Sequence, residues 1–151
     1  MRKYKFTGEI KKLADGTTVR RIKRLSDGLV GGWIESEANL SHEGDCFIYQ
    51  EGIVYQNSKV YNNGMVSGSS RVYGSAEVFE NAWVYDTARV FGEAKVYGNS
   101  IIEGNSEVYG EARVYGSSKV KEDAIVVGAV EVNGDEIIDG IQIVAGELEK
   151  W

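Results

Sequence analysis

Between residues 48 and 144 the chain places Ile or Val at every sixth position, seventeen times in succession without a miss. Two residues before each Val from 54 to 126 stands Gly, Ser or Ala. Small-x-Val is a two-residue alternation, which points both side chains to one face of a strand. A helix needs apolar residues three and four apart on one stripe, and "AEVFENAWVYD" does not hold to such a stripe. Two residues after the Val lies mostly Gly, Asn or Asp, types that tolerate positive φ and turn the chain. Each hexad therefore predicts a short strand followed by a corner.

Corners at a fixed six-residue spacing wrap the chain into a triangular prism with 18 residues per coil. Successive coils stack as parallel strands roughly 4.8 Å apart. Val and Ile fill the flats of the prism, and the small residue sits near the corner, where a larger one overpacks by about 1–3 kcal/mol. The hexads "VYGNS", "VFGEA" and "VYGEA" resemble those of hexapeptide-repeat left-handed β-helix proteins. Left-handed coiling is implied by that resemblance, against the general right-handed crossover rule. The expected fold is all-β, a left-handed parallel β-helix with an N-terminal β-hairpin cap.

Three stretches divide this single folding unit. Residues 1–45 form a β cap and a first irregular coil. In them "EIKKLADGTTVRRIKRL" predicts two strands joined at Asp15-Gly16. Ile34 and Leu40 then stand six apart, and a two-residue shift precedes Ile48. Residues 46–129 carry the regular hexads. In residues 130–151 the lattice fails, because Val130, Glu136 and Gln142 stand where a small residue belongs. Burying Glu136 unpaired costs several kcal/mol, so these coils must deviate, and "VNGDEII" offers a hairpin about Asn133-Gly134.

A period of 18 also sorts the outward residues into ladders. On the first face Phe47, Met65, Trp83, Ile101, Lys119 and Ile137 align, an apolar stripe with Lys119 at its rim. The second face carries Tyr55, Tyr73, Phe91 and Tyr109, and the third carries Tyr61, Phe79, Tyr97 and Tyr115. Stacked rings at strand spacing support one another, and they also present a contact surface for a partner or ligand. The apolar stripe is the candidate for self-association as a dimer or trimer.

Charge and composition narrow the chemistry. Residues 1–25 hold nine Lys/Arg against Glu9 and Asp15, while the whole 151-residue chain is −6. Basic strand ends protect sheet edges, which makes nucleic-acid binding the weaker reading. The single cysteine, Cys46, excludes an internal disulfide and a Cys-based zinc cluster. No apolar run of membrane-spanning length and no apolar leader occurs, so a cytoplasmic protein is expected.

The segment "GGWIESEANLSHEGDCFIYQEG" running into the hexads is similar to the YdcK-like proteins of bacteria and their phages. The likeness covers residues 31 to about 129. It implies a phage or bacterial origin and a host protein or small ligand as partner. Kinship with hexapeptide acyltransferases implies an alternative, acyl-CoA at a subunit groove with His42 as base and Glu43 orienting it. The seventeen hexads contain no protruding loop and "GELEKW" is too short for a terminal helix, so the expected role is non-enzymatic. With one histidine, a three-histidine metal site is excluded, and no metal or other cofactor is expected.

Overall fold

The computed structural model describes residues 1–140 and 143–145. It is an all-β parallel solenoid of about six turns, with an antiparallel hairpin at its N-terminus. Three sheets of nine, six and five strands form its walls. Among the described residues the only helical element is a single 3-10 turn, Glu37–Asn39.

The 18-residue coil is visible in the pairing. Val84 lies between Val66 and Ile102 on the first face. Val90 lies between Val72 and Val108 on the second, and Val96 between Val78 and Val114 on the third. These aliphatic side chains are fully buried, as are the small corner residues from Ala76 to Ala124. Where the small residue is serine, its hydroxyl is also satisfied. Ser58, Ser70 and Ser100 each donate 2.7 Å bonds to the carbonyl three residues earlier. A buried hydroxyl thus occupies an apolar column without an orphaned donor.

Corners repeat a left-handed residue. Glycine fills many of them; at Gly74 (φ 71°) an added Cβ would meet the backbone nitrogen of Gly92 at 2.8 Å. Six corners use other residues at φ 53–60°, a conformation that costs about 1–2 kcal/mol. Four of these side chains bond to the next coil. Gln50 accepts from the Gly68 N–H at 2.7 Å, Gln56 from Gly74 at 2.8 Å, Asn62 from Glu80 at 3.3 Å and Asp86 from Gly104 at 3.0 Å. Strain within one coil is offset by a bond that holds two coils together.

The cap is built from β1 (Tyr4–Lys12), β2 (Thr18–Arg24) and β3 (Val30–Ile34). The β1–β2 turn forms at Asp15-Gly16, where the Asp15 carboxylate accepts the Thr17 N–H at 2.9 Å. β3 runs antiparallel to β2 and parallel to the strand Ile53–Val54, joining the cap to the nine-stranded sheet. Ile34 pairs with Val54 and Leu40 bridges Val60, so the first coil uses the Ile34–Leu40 spacing. Tyr4 and Ile22 close this end of the core, and the Tyr4 hydroxyl donates to the Leu40 carbonyl at 2.7 Å.

Two expectations fail here. Phe47 does not face solvent: it is fully buried, with the Arg24 guanidinium 5.0 Å from its ring centre and Gly31 packed against it. "VNGDEII" makes no hairpin either. Val132 pairs with Val114 and Ile138 with Val120, on different sheets, so the hexad beat continues through Asn133-Gly134. Glu136 is solvent-exposed and its carboxylate accepts the Asn133 N–H at 3.2 Å. Position 142 and the tail from 146 lie outside the described residues.

Ala94 is fully buried at a corner, while Lys95 beside it points outward. Ala94→Leu should therefore cost about 1–3 kcal/mol by overpacking, and Lys95→Leu should be nearly neutral. Equal melting temperatures for the two variants would contradict the inward–outward phase.

Candidate interaction surface

Strand alternation delivers the aromatic ladders. On the second face Tyr55, Tyr73, Phe91 and Tyr109 stack at centroid spacings of 5.2, 4.9 and 4.5 Å. On the third, Tyr61, Phe79, Tyr97 and Tyr115 stack at 4.9, 4.8 and 4.9 Å, within 8° of parallel. Each contact adds about 0.5–1.5 kcal/mol. The same geometry limits what the ladders can bind. Ring faces inside each stack are covered by neighbouring rings, leaving edges and hydroxyls for anything outside. Tyr55 offers less still, since it is buried with Leu13, Val19 and Trp33 under the cap. Tyr61 and Tyr115 donate to Glu77 and Glu131 at 2.6 and 2.7 Å.

The first face differs because its stripe is not self-saturated. Met65, Trp83 and Ile101 are paired in register, one per coil. Met65 and Ile101 are half-buried, Trp83 is 43% exposed and Ile137 is 57% exposed. Only one atom of the indole is polar, and it is satisfied: Nε1 donates to Ser67 Oγ at 3.2 Å. The ring leans on Tyr85 at 5.0 Å, and the Tyr85 hydroxyl donates to Glu103. Trp83 is thereby held in place with its apolar surface outward.

His42 is built into the cap. Its Nδ1 accepts the Lys3 backbone N–H at 3.0 Å, which leaves the ring proton on Nε2, 2.7 Å from Glu37 Oε1. The imidazole also stacks on Tyr4 at 4.0 Å. A general base needs a free lone pair aimed at the proton it removes, and this one is committed to the backbone. Glu43 does not orient the ring as expected; its own exposed position follows Ser41, whose hydroxyl accepts the Glu43 N–H at 3.0 Å. Glu37 takes that role, a residue hidden from sequence reasoning because the 3-10 turn folds it back onto His42. The hydrogen bond from His42, and then Arg2, hold the Glu37 carboxyl below its ordinary range despite partial desolvation.

Cys46 occupies the corner position of the first face, fully buried, with Lys3 Nζ 3.2 Å from its sulfur. Several basic residues of the N-terminal stretch are likewise engaged: Arg21 pairs with Glu51 at 2.9 Å, Arg24 with Asp27 at 2.8 Å, and Lys11 lies over the Trp33 ring. Among the described residues no cluster of His, Cys, Asp or Glu is arranged to hold a metal ion, and no helix is long and apolar enough to cross a membrane.

Neither known protein families nor curated proteins yield a match to this chain.

The Glu103 carboxylate, with burial adding to it, pushes the Tyr85 phenol up from its ordinary value of 10 to about 12. A raised folded-state value contributes stability below pH 10 that is lost as pH rises from 10 to about 12. Denaturation at stepped alkaline pH should show a shallower loss of stability over that window in Tyr85→Phe than in wild type. Identical slopes would mean that the Tyr85–Glu103 bond does not form.

Proposed function

We propose that the protein is a non-enzymatic β-solenoid interaction module that self-associates through its first face. The observation that carries this reading is Trp83, 43% exposed and held between Met65 and Ile101 on a flat parallel sheet. Fully burying a large apolar side chain is worth roughly 1.5–3 kcal/mol, and a monomer forgoes the exposed share of it, a little under half at Trp83. A second copy presenting the same stripe recovers it, because closed symmetric contacts reuse one patch. Phe47 is not part of that patch, which runs through Met65, Trp83, Ile101 and Ile137.

Kinship with the YdcK-like proteins, on residues 31 to about 129, belongs to the same proposal, as does work in the cytoplasm. So does a further host protein or small ligand. Such a partner would engage ring edges and hydroxyls of Tyr73, Phe91, Tyr97 and Tyr115 rather than stack on their faces. Acyl transfer draws no support from the committed lone pair of His42.

Light scattering at tens of micromolar should report wild type as an oligomer and Trp83→Glu as a folded monomer of unchanged melting cooperativity. A monomeric wild type would overturn the proposal.

A further inference from the structure

Resting on that self-association, we infer that two copies meet antiparallel, about a two-fold axis that runs along the strand direction and crosses the first face at Trp83. Positions along the stripe decide this. Phe47 lies in the lowest coil of the face, and Met65, Trp83, Ile101, Lys119 and Ile137 follow one coil apart. Trp83 is therefore midway between the Phe47 coil and the Lys119 coil. Asp45 stands exposed at the corner that leads into Phe47.

Several charges at or beside this face are matched within the chain. Lys121 pairs with Asp139 at 3.6 Å and Arg24 with Asp27 at 2.8 Å. Lys3 turns its ammonium to the carbonyls of Gly44 and Cys46. Asp45 and Lys119 make no ion pair among the described residues. They sit at levels equidistant from Trp83.

An axis parallel to the prism, whether two-fold or three-fold, sets each coil against its own level in the other copy. Lys119 then meets Lys119 or Lys121 across the contact, and like charges brought together disfavour association. An antiparallel two-fold through Trp83 sets Met65 against Ile101, Trp83 against Trp83, and Lys119 at the level of Asp45. It also carries Ile137 past the lowest coil to the turn after β2. That turn borders the same face, since Arg24 and Ser26 line one groove with Tyr49 and Met65. There Leu25 and Leu29 are 47% and 40% exposed. Met65, Trp83, Ile101, Lys119 and Ile137 each find a complement in this one register.

Disulfide trapping tests the register. The variants are made with Cys46→Ser, since serine already fills the equivalent corners at Ser58 and Ser70. A mixture of Met65→Cys and Ile101→Cys proteins should yield a covalent dimer under mild oxidation. Lys119→Cys alone should not, because its two copies lie roughly 19 Å apart, four coils at 4.8 Å. As a second measurement, Lys119→Glu should weaken the dimer by roughly three- to ten-fold, and Asp45→Lys in the same chain should restore it. If light scattering shows an oligomer but Lys119→Cys cross-links to itself, or the mixed pair does not, the antiparallel register is overturned while self-association stands. A monomer overturns both.

Discussion

Each inward Val or Ile packs against its counterparts in the coils above and below and against two others in its own coil. This column is narrow, and its width governs everything else. From Gly52 to Ala124 the corners hold nothing larger than alanine, serine or glycine, and Ala82, Ala88 and Ala94 are completely buried there. Because the interior is filled, the described coils leave no room for a ligand at their centre. Because each corner must turn in the left-handed region, its residue is mostly glycine, and four of the six other residues return a bond to the next coil. Whatever the protein does, it does with surface.

That surface is organised by the same 18-residue period. Any residue type that recurs at one phase becomes a ladder, and identical rings at strand spacing satisfy one another. The tyrosine and phenylalanine ladders are in this sense closed. The first face breaks the pattern with Met65, Trp83, Ile101 and Ile137, which differ in shape and leave apolar surface uncovered. The proposed association there would ask for no change in the prism and would bury what the ladder leaves open.

The Val column, the small corners, the Asp15-Gly16 turn and the Ile34–Leu40 coil were all legible in residue order, because each rests on a local signal, a repeat spacing or a turn dipeptide. What escaped was set by the cap. Phe47 and Tyr55 stand at outward phases of the beat, yet β1–β3 fold across them, and nothing periodic in residues 1–45 announces where that cover lies. Glu37 was invisible as the partner of His42 for the same reason: a 3-10 turn, not strand alternation, places it. Asn133-Gly134 misled in the opposite direction. A dipeptide that favours hairpins also satisfies a solenoid corner, and the parallel pairing of Val132 and Ile138 with earlier coils outweighed it.

Hydroxyl-radical footprinting across a dilution series tests the central claim most directly, because it reads the faces separately in one sample. Self-association through the first face predicts that Met65 and Trp83 become protected as concentration rises, while Tyr73, Phe91 and Tyr97 keep constant reactivity. Protection of the second or third face with Trp83 unchanged, or no protection anywhere at high concentration, would contradict it.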